Sequence, residues 1–420
     1  MQVLKRIKRI FAAFAPKPLL ALYHRFLARL GAIAYGFPSQ RLIVIGVTGT
    51  KGKSSVTEML SAIFEEAGEK TALINSIRFK AGEQSERNIS RMSMPGRFFI
   101  QRFLARALRA GCRVAIVEMT SEGARQDRHL GIELDALVFT NLAPEHIESH
   151  GSIEAYANAK FALGLSLVRS SKRPRIMVAN ADDAECTRYL ALPIEKAIPF
   201  ALSRTPHNSS ERGGRFTFRG TVIAIHLPGE FSIGNALAAA SAAAACGVDV
   251  AHIQRAFENL SHIPGRAERI EAGQDFSVIV DYAHTPDSLK ALYVAYPSRK
   301  ICVLGATGGG RDRWKRPVMG KLAAEHCAEV ILTDEDPYDE DPRTIVEELR
   351  AGMQHDPEIV IDRRGAIRRA LGLAKSGDAV LITGKGTDPN ICGPNGTKEP
   401  WSDARVAREE LERLLEKRGI

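Results

Sequence analysis

The stretch "RLIVIGVTGTKGKSSVTEML", residues 41–60, decides how the rest of the chain is read. Residues 42–47 form an apolar, β-branched run, long enough for a strand buried on both faces. From Ser54 onward Val56, Met59, Leu60 and Ile63 fall on one stripe of a helix that runs to about Glu66. Between strand and helix lies Gly49-Thr50-Lys51-Gly52-Lys53-Ser54-Ser55. A glycine-rich turn that opens a helix exposes several backbone N–H groups and the positive end of the helix dipole, the chemistry that cradles phosphate. Lys53 adds a point charge, and the Ser54 hydroxyl suits Mg²⁺. The spacing departs from G-x-x-x-x-G-K-[ST], because Val47 stands at the first glycine. The rival reading is a plain surface turn, but strand, turn, Gly-Lys-Ser and amphipathic helix all occur in the required order.

With 420 residues the chain should hold about two to three domains. Its composition, 45% hydrophobic and 25% charged, is that of a globular protein with a core. The net charge of +9 fits anionic ligands: nucleotides, nucleic acid or a membrane surface. No basic patch interleaved with aromatics supports nucleic acid, so none is expected as a partner. The six cysteines are scattered without a C-x-x-C pair, which argues against a zinc site or a disulfide framework and for a reducing, cytoplasmic setting. Residues 1–40 mix Lys5, Arg6, Lys8 and Arg9 with Leu4, Ile7, Ile10, Phe11 and Phe14, and continue into an apolar stretch interrupted by His24, Arg25 and Arg29. That segment is too charged to span a bilayer. It reads either as a basic amphipathic helix making peripheral contact with anionic lipid or as a helix packed on the protein's own surface.

Strand-like and helix-like runs alternate, predicting an α/β protein with mainly parallel sheets. Strands are expected at 113–119, 136–141 and 175–179, with a helix over 152–168; residues 204–220 read as hairpins or loops, and the alanine-rich 234–247 as a closely packing helix. Near Pro264 the pattern restarts, with strands at 276–280, 300–304, 329–333 and 378–383 and a ligand crevice at their carboxyl ends. The expected organisation is an N-terminal basic segment (1–40), a P-loop-type central ATPase domain (41–263) and a C-terminal Rossmann-like open-sheet domain (264–420).

Glu118 ends the second strand beside the phosphate loop, the usual place for a Mg²⁺ ligand. After the third strand "TNLAPEHIESHG" brings Asn141, His146, Glu148 and His150 to the same sheet edge. Lys160, inside a helix, reads as a solvated surface residue. In the C-terminal half "DYAHTPDSL", "GATGGGRDRWKRP", "TDEDPYDEDP" and "GKGTDPN" all follow strands. Arg311, Arg313, Lys315 and Arg316 would neutralise phosphate or carboxylate. An acidic loop facing a basic one suits a zwitterion such as an amino acid, although the acidic run also reads as a solvated loop.

Together "GTKGKSS", "TNLAPEHIESHGSIEAYANAK", "VANADD", "DYAHTPDSL" and "GGGRDRWKRP" resemble the Mur ligase family, and within it the members that add the third residue of the peptidoglycan stem peptide. The resemblance covers residues 41–415. It implies that ATP phosphates and Mg²⁺ are held by the loop from Gly49 to Ser55, chiefly Lys53 and Ser54. It further implies that Glu118 and His146 are metal ligands, and that Lys160 is carbamylated to help hold a second Mg²⁺. Asn141, Asn235, Arg266 and Asp281 would serve the nucleotide. Ser121 and Arg128 match acceptor-side positions, Arg311 and Gly384 the pocket for the incoming amino acid. The implied chemistry is attack of an acceptor carboxylate on the γ-phosphate, then of an amine on the resulting acyl phosphate, the acceptor being a UDP-N-acetylmuramoyl-peptide.

The departures bear on substrates. Only about 40 residues precede the phosphate loop, where the family carries a whole domain that binds the uridine nucleotide. The family's "DNPR" signature reads Glu335-Asp336-Pro337-Tyr338, and its "GKGHE" reads Gly384-Lys385-Gly386-Thr387-Asp388. Losing that arginine disfavours diaminopimelate, and Asp336 would suit a distal amine. Tyr338 and Asp388 therefore join the side-chain pocket. Alternative acceptors are a lipid-linked muropeptide or a folylpolyglutamate-like carboxylate.

Overall fold

A computed structural model describes residues 17–145 and 147–419. The His146 assignment and Lys5, Arg6, Lys8 and Arg9 lie outside the described residues. Among the described residues helix α1 (Lys17–Ala34) comes first, followed by β1 (Ile43–Thr48), whose last five residues are all buried. The phosphate loop joins β1 to α2 (Lys53–Glu66). β2 (Thr71–Ile74), β3 (Arg78–Ala81) and β4 (Gln84–Arg87) precede α3 (Arg97–Arg109). β5 (Val114–Glu118), β6 (Ala136–Phe139), α4 (Ile153–Arg169), β7 (Ile176–Asn180) and β8 (Lys196–Phe200) complete an eight-stranded sheet of order β4-β3-β2-β5-β1-β6-β7-β8. It is parallel except at the β2–β3–β4 end. Because β1 lies between β5 and β6, the strand order runs outward in both directions from the phosphate loop, and such a switch point opens a crevice at the carboxyl ends of the strands.

Residues 204–220, expected as hairpins or loops, belong to a small antiparallel sheet of β9 (His207–Ser210), β10 (Gly213–Phe218) and β11 (Thr221–Ile225). Phe216, Phe218, Ile223 and Ile225 face the core there, so few apolar residues suffice because only one face is buried. The alanine-rich helix α5 (Gly229–Ala245) is buried along most of its length in the same core as Val56, Met59 and Leu60 of α2.

The second sheet has order β12-β13-β17-β14-β15-β16, built from β12 (Glu268–Arg269), β13 (Ser277–Asp281), β14 (Lys300–Leu304), β15 (Glu329–Leu332), β16 (Glu358–Ile359) and β17 (Ala379–Thr383). Only β12 is antiparallel. The fold is therefore mixed α/β with two mainly parallel open sheets, as the alternation of elements predicted. A small ribbon of β18 (Asn390–Cys392) and β19 (Lys398–Pro400) follows. One expectation from the cysteines is corrected. Cys302 on β14 and Cys327 just before β15 form a disulfide. They are 25 residues apart in sequence, but the parallel β14–β15 pairing brings them together, which no short-range spacing announces.

Candidate active site

The phosphate loop is shaped by its glycines. Gly49 (φ +143°) and Gly52 (φ +82°) occupy backbone conformations that side chains resist, and a Cβ on either would collide with Thr140 Oγ1 or Asn235 Oδ1 respectively. The end of β6 straps the loop down. The Lys51 amide donates to Asn141 Oδ1 at 2.8 Å, and Thr140 Oγ1 donates to the Lys51 carbonyl at 2.6 Å. Asn141 thus holds the loop rather than pointing past it. Thr50 Oγ1 lies 3.1 Å from the Tyr156 hydroxyl, and Ser55 is buried in the first turn of α2.

Two lysines converge on this turn. Lys53 Nζ donates to the Thr50 carbonyl at 2.8 Å, and Lys160 Nζ, from α4, donates to the Gly49 carbonyl at 2.6 Å. Lys160 is only 2% exposed and lies over the Tyr156 ring. Burial, reinforced by the Lys53 charge, holds its ammonium pKa well below the ordinary lysine value. Burial also pulls the Lys53 pKa down. A helical lysine that composition marks as solvated is therefore buried beneath the phosphate loop.

Glu118, at the end of β5, accepts from Ser54 Oγ (2.8 Å), the Ser76 amide (3.0 Å) and Ser93 Oγ (2.7 Å). Arg266, from the chain leading into the second sheet, donates to Ser76 Oγ at 3.1 Å and Ser54 Oγ at 3.3 Å. Its guanidinium also lies over the Tyr282 ring. Asp281, ending β13, accepts the Ala267 and Ala283 amides at 2.6 Å each, and burial raises its pKa. Ser121 is buried at the start of a short helix, and Arg128 donates to Gln126 Oε1 and the Met94 carbonyl beside it.

At the mouth of the second sheet Asp336 is not an open carboxylate. It accepts from Lys385 Nζ (2.8 Å), the Cys392 amide (2.7 Å) and Arg91 Nη2 (2.6 Å). Asp388 pairs with the same Arg91 nitrogen at 2.5 Å. Burial tends to lower the Arg91 pKa, but the two carboxylates outweigh it and leave the pKa above the usual arginine value. Tyr338 (φ +52°) carries the Arg311 guanidinium 5.8 Å above its ring. Gly384 (φ +105°) lies against Glu335, where any side chain would strike Oε2. Glu335 Oε1 accepts from Thr307 Oγ1 at 2.7 Å, whereas the buried Oε2 has no partner among the described residues.

Sequence reasoning passed over several of these groups. Glu145 is 6% exposed and joins Lys51 (3.0 Å) to His284 (3.1 Å), and so links the phosphate loop to the second sheet. Its neighbour in "APEHIESHG" drew attention instead. Arg91 lies in a polar loop with no flanking periodicity to flag it, whereas Ser93 opens Ser93-Met94-Pro95, the stretch that resembles the family's acceptor-side "TTP" motif. Arg316, expected at a ligand, is fully buried on Glu340, Glu348 and the Thr307 carbonyl, and so builds the loop.

The Mur ligase middle domain matches residues 47–243, and the Mur ligase glutamate ligase domain matches residues 265–386. A UDP-N-acetylmuramyl-tripeptide synthetase of Roseiflexus sp. (strain RS-1) is 38% identical over 420 aligned positions, covering 92% of this chain and 82% of that protein. The chain belongs to the Mur ligase family. A UDP-N-acetylmuramoyl-L-alanyl-D-glutamate–2,6-diaminopimelate ligase of Geobacillus thermodenitrificans is 36% identical, over 86% of this Mur ligase and 77% of its own length. Among solved structures, Mycobacterium tuberculosis folylpolyglutamate synthase complexed with ADP and AMPPCP shares the fold (TM-score 0.67, 18% identity, 89% of this chain and 97% of that one). As a Mur ligase the protein is an ATP-dependent enzyme that forms an amide bond between a carboxylate and an amine.

Proposed function

We propose that this Mur ligase adds an amino acid to a UDP-N-acetylmuramoyl-peptide in peptidoglycan precursor synthesis, with ATP converting the acceptor carboxylate to an acyl phosphate. The observation that carries the reading is the convergence of Lys53, Ser54, Glu118 and Lys160 on one phosphate loop, with Arg266 reaching Ser54 from the second sheet. The hydroxyl and carboxylate of Ser54 and Glu118 are hard oxygen donors of the kind Mg²⁺ takes alongside phosphate oxygens, and the pair is already preassembled at 2.8 Å. Bound there, Mg²⁺ would neutralise charge on the transferring phosphoryl group. The buried amine of Lys160, its pKa pulled down by burial, fits carbamylation, since only the neutral amine adds CO₂.

In this reading Lys53 and the loop amides hold the phosphates, while Asn235 and Asp281 flank the nucleotide. Ser121 and Arg128 orient the acceptor. The acceptor carboxylate attacks the γ-phosphorus and ADP leaves. The incoming amine then attacks the acyl carbon, loses a proton, and phosphate departs. Gly384 and the orphaned Oε2 of Glu335 offer that amine a receptor, with Arg311 available to its carboxylate. Closure of the second sheet over the loop would exclude water from the acyl phosphate. Peripheral membrane contact through residues 1–40 belongs to the same reading, and the exposed apolar residues of α1 favour a second version in which the acceptor is lipid-linked.

The test is phosphate release from ATP with UDP-N-acetylmuramoyl-dipeptide and single amino acids, lysine, ornithine and diaminopimelate among them, with product mass confirmed. Release that depends on both acceptor and one amino acid is the expected result. Silence with every amino acid, while ATP still binds, would overturn the UDP-linked acceptor.

A further inference from the structure

Helix α1 has two unlike faces. Ala28 and Ala32 are fully buried, and Gly31 lies close enough to α3 that an added Cβ would touch Gln101 and the backbone of Arg97 and Phe98. On the other side Leu19 (48% exposed), Leu22 (65%), Phe26 (62%), Leu30 (39%) and Ile33 (60%) recur every three or four residues, a continuous apolar stripe turned to solvent. Scattered exposed apolar residues need no explanation, but a stripe along a whole helix does.

Charge says what covers it. Residues 1–41 contain eight basic side chains, Lys5, Arg6, Lys8, Arg9, Lys17, Arg25, Arg29 and Arg41, and no acid. They supply +8 of the net +9, leaving the other 379 residues almost neutral. An apolar stripe within an acid-free basic segment matches the two components of an anionic bilayer, acyl chains below and phosphate headgroups above. No described helix is long and apolar enough to cross a membrane, so α1 lies on the surface. We propose that the outward stripe of α1, with its basic flanks, docks this ligase onto anionic phospholipid while the inward face keeps the helix fixed to α3. The proposal rests on the peripheral contact read above for residues 1–40, to which it adds the docking residues and the lipid, and it needs neither ATP nor acceptor.

The experiment is co-sedimentation of the full chain with vesicles of mixed phosphatidylglycerol and phosphatidylcholine, and with phosphatidylcholine alone, at low and high salt. Binding to the anionic vesicles, weakened by salt and absent on the neutral ones, is expected. The variant Leu22→Ser/Phe26→Ser/Ile33→Ser keeps every charge, and its partitioning should fall roughly tenfold or more. Its circular dichroism and its phosphate release in solution should be unchanged, showing that it folds. Equal binding by wild type and variant would overturn the stripe as the docking surface, as would failure of the wild type to bind. A wild-type dimer that the variant dissociates, with neither form taken up by vesicles, would assign the stripe to a second copy of the chain and equally overturn the proposal. A ligase assay that fails while vesicle binding holds would leave docking intact and remove only the proposed substrates.

Discussion

Lys160 carries its amine under the Gly49 carbonyl, out of solvent, where burial and the Lys53 charge outweigh the pull of Glu145 and Glu118. Lys160→Ala should therefore lower phosphate release by about a hundredfold or more while the protein remains folded, and added bicarbonate should not restore it. Near-normal turnover would remove the carbamate from the reading. A second residue-scale expectation concerns pH. Burial lowers the pKa of His129 to about 4, and the same cause does so for His284 despite its bond to Glu145. Between the unfolded histidine value of about 6.5 and about 4, the unfolded chain binds protons that the folded one does not. The two histidines should accordingly lower stability as pH drops through that window, while any further fall below it belongs to carboxylates such as Glu195 and Glu410, held at about 2. Urea midpoints across the window measure this, and His129→Phe should flatten the slope; an unchanged slope would mean that His129 titrates normally. Neither residue was legible as special in the sequence. Lys160 became a candidate only through resemblance, because burial comes from the strand ends around α4 and not from its own neighbours. The glycines, Lys53 and Ser54 were legible directly, since their chemistry is local.

Among the elements, α5 is the plainest case of sequence legible as packing. A run of small side chains predicts close approach, and α5 shares a core with α2 in which Ala239, Ala240, Ala242 and Ala243 have no exposed surface. Ala239→Leu should cost roughly 1–3 kcal/mol in a denaturant titration, because the extra methylenes have nowhere to go. A neutral outcome would mean an unfilled space beside α2. Strands β1, β5, β6, β7, β13, β14, β15 and β17 were legible because parallel strands buried on two faces are uninterrupted apolar runs, whereas β2, β8, β12 and β16 went unread. The β3–β4 hairpin was not legible either. At the edge of the sheet β4 is fully exposed, "QSER" in sequence, and has no apolar run to announce it. That hairpin leads into the loop carrying Arg91, so this missed site residue lies just beyond an element that was also missed.

The two sheets meet through a few arginines. Arg91 ties the loop after β4 to Asp336 and Asp388, and Arg87 donates to the Thr387 carbonyl at 2.9 Å. Arg266 returns the contact at Ser54, and His284 at Glu145. Arg91 holds φ +59° to do so, a backbone conformation uncommon outside glycine. Arg91→Ala should loosen this arrangement, seen as a larger radius of gyration by small-angle X-ray scattering of the protein without nucleotide. An identical scattering curve would mean that the remaining contacts suffice. These couplings join residues hundreds of positions apart and have no periodicity in the sequence.

Arg266 on Ser54 has a kinetic consequence. Arg266 bridges the Ser54 and Ser76 hydroxyls across the interface, so exchange of nucleotide at the loop has to break contacts that re-form afterwards. If that exchange needs the bodies to part, opening rather than chemistry is expected to set the ceiling on throughput. Turnover at saturation should slow in proportion as glycerol thickens the medium, whereas a chemistry-limited enzyme would be indifferent to the drag.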